Sequence, residues 1–213
     1  LAYTFPNVTF VISSGNKDPR QVYGSIKDIL DNYPNYLIID DFKIINPATS
    51  ALAITVGSIA GPVLIDKERY GSELIKTPVA KENHPSPFTR TGFGINGMIK
   101  PDLVEYGGNL VLYENAGSMQ DDSGGKLPVL NNEVVNNIIK FENGSSYSAA
   151  KVSNLIGKIA NQYPYSTSNF IKNLLLSGAD YTCNFDNKFY DIAGSDNKQI
   201  NLSVCGYGLS NYD

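Results

Sequence analysis

A glycine and two hydroxyls, Gly144-Ser145-Ser146, stand ahead of the small-residue run Ser148-Ala149-Ala150. Such a run opens a helix, and the first N–H groups of a helix have no partner within it. Those groups and the helix dipole favour negative charge. A serine held there has an oxygen able to attack a carbonyl and a backbone donor for the oxyanion that acyl transfer creates. Gly-Ser-Ser before a helix is also an ordinary N-cap, and taken alone the segment favours the cap. Asn16 follows Ser13-Ser14-Gly15 at the end of an apolar run, where an Asx turn closing a strand is the ordinary use of the residue.

The other chemistry-bearing residues are sparse. The single histidine, His84, lies between Asn83 and Pro85 on a Pro-rich stretch, a setting for a turn or surface residue rather than a base. Asp40-Asp41 and Asp121-Asp122 are paired carboxylates without a glycosidase-like or metal-like context, and read as solvated charges. Cys183 and Cys205 match no zinc spacing, and either a disulfide or two buried thiols is compatible with them. No metal ligand set is expected.

These residues need a scaffold, and the chain is long enough to supply one. Its 213 residues are 42% hydrophobic and 18% charged, which indicates one globular domain rather than disorder. A net charge of −4 with no basic run gives no support for a nucleic-acid partner. The uncharged stretch from Ile44 to Ile65 is broken by Asn46, Pro47, Gly57, Gly61 and Pro62, so it suits a buried strand and not a membrane span. No targeting signal is recognisable at Leu1-Ala2-Tyr3, the compartment stays open, and the chain is expected to start inside a longer protein.

Val8 to Ser13 reads as a strand buried on both faces, and Ala51 to Ile59 as a second one. Gln21 to Asn32 has helical periodicity, whereas Leu37-Ile38-Ile39 suits a short strand. Residues 66–98 are loop-rich. Leu103-Val104 and Asn109 to Tyr113 are candidate strands, and Asn115 to Asn132 an exposed loop. Ser146 to Tyr163 carries one apolar stripe and reads as a helix, followed by another that is capped at Ser166 or Ser168 and stopped by Gly178. Short apolar pieces follow from Tyr181. Strands separated by helices imply an α/β fold with a mainly parallel sheet flanked by helices.

Six segments, in order, resemble the subtilisin-like serine peptidases. They are Val11-Ile12-Ser13-Ser14-Gly15-Asn16; Asn46-Pro47-Ala48 with Ala53-Ile54-Thr55-Val56-Gly57; Phe88-Thr89-Arg90-Thr91-Gly92; Ile99-Lys100-Pro101-Asp102-Leu103-Val104-Glu105-Tyr106-Gly107; Gly144-Ser145-Ser146-Tyr147-Ser148-Ala149-Ala150; and Gly206-Tyr207-Gly208-Leu209. The resemblance implies a single domain over residues 1–213, the C-terminal portion of a subtilisin-like catalytic domain that is incomplete at its N-terminal side. It makes Ser146 the nucleophile and Asn16 the side-chain donor to the oxyanion, joined by the Ser146 N–H. Ser13, Ser14 and Gly15 would line one wall of the pocket for the substrate residue preceding the cut bond.

The motifs that carry this family's Asp and His are not recognisable in Leu1 to Phe10, and the family places no base at His84. The resemblance therefore implies that an upstream segment of the same protein, or an associated chain, supplies both, and that this chain alone is inactive. Ala150 stands where the family usually has Pro, and Lys151 where His is frequent. Residues 21–32, 66–87 and 115–140 are expected insertions. The implied partner is a polypeptide substrate, with no nucleic acid and no membrane. No cofactor is implied, apart from calcium, whose loops vary too much in the family to place. A non-catalytic pseudoprotease acting as a binding module is the alternative. A doubly wound nucleotide-type binding domain would need a Gly-rich phosphate loop, which Ser13-Ser14-Gly15-Asn16 does not provide.

Overall fold

A computed structural model of the chain describes residues 5, 7–65, 75–133, 137–180 and 197–211. Its centre is a parallel sheet of three strands: β1 (Val11–Ser13), β2 (Ile54–Ile59) and, later in the chain, β4 (Leu103–Tyr106). The order β1-β2-β4 puts β2 in the middle, with Ser13 paired to Val56 and Val56 to Leu103. Every residue of β2 is buried, as its uninterrupted apolar and small-residue run requires. β1 is only half-buried, contrary to the expectation of a strand covered on both faces. It stands at the edge, and among the described residues it pairs only with β2.

Alternate residues of the strands serve two cores. Ile54, Val56 and Leu103 pack against Val152, Leu155 and Ile159 of helix Ser145–Gln162, and against Ile171 and Leu175 of helix Ser168–Ser177. Ile59 and Val104 face the other way, toward Ile200, Val204 and Cys205 of helix Asn197–Cys205. Numbered after the short α1 (Ile26–Asn32), these helices are α2, α3 and α4. Helices on both faces of a parallel sheet give the α/β architecture expected from the sequence. Among the described residues, no helix is long and apolar enough to cross a membrane.

A third core holds Ile29 of α1 with Tyr33, Tyr36, Leu37 and Phe42, closed by Phe88, Leu110 and Leu112. This cluster overrides the strand expected at Leu37-Ile38-Ile39. Residues Asn35–Ile38 form a 3₁₀ turn instead, which buries Tyr36 and Leu37 together while the Tyr36 hydroxyl donates to the Pro87 carbonyl at 2.9 Å. α1 starts later than its periodicity suggested, because Ser25 caps it by accepting from the Asp28 N–H.

The stretch expected to be an exposed loop is also structured. β5 (Val111–Asn115) runs antiparallel to β3 (Thr77–Pro78) on one side and to β6 (Ser118–Asp121) on the other. β7 (Leu127–Leu130) then pairs with β8 (Ile139–Glu142) in a separate hairpin. Ala116 and Gly117 both adopt positive φ in the β5–β6 turn, so a tight hairpin forms without the Asn-Gly type of signal that advertises one. Thr167, not Ser166 or Ser168, caps α3 by accepting from the Phe170 N–H. Cys205 is buried, and Cys183 lies outside the described residues, as does most of the 181–213 tail.

Candidate active site

The site is assembled where the C-terminal end of β1 meets the start of α2. β1 extends by one bond, from the Ser14 N–H to the Val56 carbonyl at 2.8 Å. Gly15 then turns at φ +94°, with the Arg90 side chain packed where a Cβ would stand. Only glycine takes this conformation cheaply. The segment 88–90 clamps the turn: the Arg90 N–H donates to the Gly15 carbonyl at 3.1 Å, and the Lys17 N–H to the Phe88 carbonyl at 2.8 Å. Thr89 is anchored in turn, its Oγ1 accepting from the Ser58 N–H at 3.0 Å and lying 3.3 Å from the Ser14 hydroxyl. The backbone of Asn16 is thereby fixed from two sides.

α2 begins at Ser145, with Gly144 at φ +148° and its N–H bonded to the Gly107 carbonyl at 2.8 Å. Farther along, Ser148 donates to the Glu105 carbonyl at 2.8 Å and the Lys151 ammonium to the Tyr106 carbonyl at 3.0 Å, which docks the first turns of α2 on β4. Burial pushes the Lys151 ammonium below its ordinary value, and Glu105 partly restores it. The contact reaches across to Asn16. Asn16 Oδ1 accepts from the Ser145 N–H at 2.9 Å and from the Ser145 hydroxyl at 3.0 Å, while Ser145 Oγ accepts from the Gly15 N–H at 3.2 Å.

This network fixes the orientation of the Asn16 amide. A backbone N–H can only donate, so the atom facing it must be the oxygen, and Nδ2 is left to point elsewhere. Nδ2 lies 3.2 Å from where a Cβ on Gly144 would sit. Ser145 is buried and Ser146, the next residue, is exposed. As the second residue of α2, Ser146 also has an N–H without an intrahelical acceptor. The arrangement presents an exposed hydroxyl, a backbone donor and a side-chain amide donor at one helix start.

Beside Asn16 opens a pocket of about 280 Å³, walled by Phe88 and Leu110 below and by polar residues that include Asp18, Arg20 and Asn143. Ser13, Ser14 and Gly15 are not among its walls; the Ser14 side chain is buried against Thr89. Arg20 grips Asp18 through Nε and Nη2, and that hydrogen bond raises its guanidinium above the ordinary value. Asp121, expected to be a solvated charge, lines the same pocket and is largely buried, 3.1 Å from the Lys126 ammonium. Burial pushes its carboxyl up, against the opposing pull of Lys126 and Arg20. Asp122 is half-buried, paired with Lys76 at 2.6 Å, whereas Asp40 is exposed as expected.

His84 does not join this group among the described residues. Its Nδ1 is 3.1 Å from the Glu82 carbonyl, and its backbone is tied to Ala60. Lys100 and Asp102 turn out to be structural. The Lys100 ammonium is buried, donating to Asp102 and to the Ala53 carbonyl at 2.7 Å, while Asp102 also accepts from the Thr55 N–H at 2.7 Å. Among the described residues, no group of three or more His, Cys, Asp or Glu side chains is placed to hold a metal ion. Sequence reasoning missed Ser145 as the residue that orients Asn16. Its adjacency to Ser146 was the available signal, but its contact spans 129 positions.

The chain is 35% identical over 208 residues to the Sinorhizobium fredii (strain NBRC 101917 / NGR234) protein y4bN, covering 95% of this chain and 46% of that one. It thus spans less than half the length of the curated relative it matches. Among solved structures it is similar to the epidermin leader peptide processing serine protease EpiP of Staphylococcus aureus, with 16% identity, a TM-score of 0.47, and coverage of 95% of this chain and 38% of that one. The model of the subtilase family, Peptidase_S8, matches residues 4–208, and the chain belongs to that family.

Proposed function

We propose that this chain carries the nucleophile and oxyanion-binding half of a serine endopeptidase. Ser146 Oγ attacks the scissile carbonyl, and the oxyanion that forms is held by Asn16 Nδ2 and the Ser146 N–H. Collapse expels the amine and leaves an acyl-enzyme on Ser146, which water hydrolyses. The observation that carries this reading is the Ser145 clamp on Asn16 Oδ1, which commits the amide oxygen and leaves Nδ2 as the donating end beside Gly144, two residues ahead of an exposed serine. Ser13, Ser14 and Gly15 form the flank toward the substrate residue preceding the cut bond.

The imidazole that takes the Ser146 proton, and its orienting Asp, come in this reading from a further segment of the same protein or from an associated chain. Strands of that segment pair with the edge of β1 opposite β2, which has no strand partner among the described residues. Phe5 and Val8, 49% and 51% exposed just ahead of β1, are the apolar surface it covers. The test is labelling of the full-length protein with a fluorophosphonate. Labelling abolished by Ser146→Ala supports the peptidase. No labelling of the wild type returns the reading to a non-catalytic module that binds peptides, and labelling that survives Ser146→Ala removes Ser146 as nucleophile.

A further inference from the structure

The pocket beside Asn16 has a chemistry of its own. Its charges are already matched: Arg20 with Asp18 at 2.6 Å within the wall, and Asp121 with Lys126, which is not one of the lining residues, at 3.1 Å. A charged side chain entering it would be desolvated without a counter-ion, which is costly. Hydrogen-bonding capacity, by contrast, is left over. Arg20 uses Nε and Nη2 on Asp18, so its Nη1 hydrogens remain available among the described residues. Asn143 uses Nδ2 on the Asn109 carbonyl at 3.2 Å, and its Oδ1 remains. Asp121 Oδ1 is buried with no hydrogen-bond partner among the described residues. Beneath this rim, Phe88 and Leu110, 4% and 3% exposed, form an apolar floor.

Donors and acceptors left over above an apolar floor, in a wall whose charges are all paired, match a neutral carboxamide on an aliphatic stem. We propose that this pocket receives a glutamine side chain immediately after the scissile bond, which rests on the reading that Ser146 faces a polypeptide. The position follows from the walls. Ser13, Ser14 and Gly15 flank Asn16 on the side assigned to the preceding residue and take no part in the pocket. It is instead built from residues 18–21 after Asn16 and from Asn143 before Gly144. A glutamine stem would rest on Phe88 and Leu110, its carbonyl accepting from Arg20 and its amide donating to the Asn143 and Asp121 oxygens.

The test uses the full-length protein with Ser146→Ala and short peptides shaped like the leaving product, headed by Gln, Leu, Lys or Glu, with affinity measured by calorimetry. The Gln-headed peptide is expected to bind about tenfold tighter than the other three, the effect of one or two well-made hydrogen bonds. Adding Arg20→Gln leaves Asp18 unmatched and should move the preference to Lys, while Asp121→Asn leaves Lys126 unmatched and should move it to Glu. Because the two substitutions push in opposite directions, a general loss of folding cannot imitate the result. Equal affinities for all four heads, a ranking that neither substitution alters, or no binding at all overturns the inference. Ranked binding in a protein that no fluorophosphonate labels would sink the peptidase reading and leave the pocket standing.

Discussion

Asn16 and Ser145 act as a pair, and their substitutions separate two roles. In the proposed mechanism Asn16→Leu removes a donor that works only once the oxyanion has formed. It should therefore lower kcat of the full-length enzyme with little change in KM. In subtilisin itself the loss of this donor costs about 10²–10³ in kcat, a figure taken over from that enzyme and not obtained from this geometry. Ser145→Ala is milder, because the Ser145 N–H still holds Asn16 Oδ1 at 2.9 Å. Of the two hydrogen bonds the hydroxyl makes, the one to the amide is worth about 1 kcal/mol, and its loss predicts a fall in kcat of roughly fivefold, restored by Ser145→Thr. A KM effect of the same size, or no rescue by threonine, would show that Ser145 does not position the amide.

Turns and helix starts set where these side chains stand, and glycine at 144 is the hinge of the arrangement. Gly144→Ala combines a φ of +148° with a Cβ 3.2 Å from Asn16 Nδ2. The strain predicts about 1–3 kcal/mol of lost stability, read as a lower denaturation midpoint. It also predicts a larger loss of activity than of stability, since the displaced group is the oxyanion donor. A variant as active as the wild type would show that Nδ2 is not needed at that place. The Lys100–Asp102 pair belongs to the same scale, because it ties the start of β4 to Ala53 and Thr55 ahead of and within β2. Burial pushes the Lys100 ammonium down from its ordinary value, and Asp102 draws it partly back. Lys100→Ala strands a buried carboxylate and should cost about 3–5 kcal/mol, whereas replacing both partners by apolar residues of similar volume should cost much less.

Over the whole molecule, the aromatic core sets an alkaline limit to stability. Burial raises the Tyr36 hydroxyl well above its usual 10.0, with Tyr23 and Asp18 adding to the effect. In the unfolded chain the phenol ionises from about pH 10 upward, while in the folded protein it keeps its proton. The folded state then binds more protons, so stability is intact below pH 10 and falls as pH rises beyond it. Tyr36→Phe should flatten that part of the curve, while losing the bond to Pro87 at every pH. Equal alkaline slopes for the two proteins would remove Tyr36 as the cause.

How much of this was legible in the sequence depended on whether the relevant contacts were local. The buried strand β2, the amphipathic α2 and the stop at Gly178 follow from apolar periodicity and backbone chemistry that act within a few residues, and all three were readable in advance. The glycines and hydroxyls of the site were readable as types, because a turn at Gly15 and a helix start at Gly144 each need them. Where local signals competed with packing, packing won. Leu37 gave up a strand for an aromatic cluster, and Asp121 became a largely buried wall of a pocket instead of a solvated charge. The sequence determined which residues could do chemistry at the start of α2. Only the tertiary structure decided that Ser145 would hold Asn16 by its oxygen, because that bond joins residues 129 positions apart and forms only when β1 and α2 are docked on the same sheet.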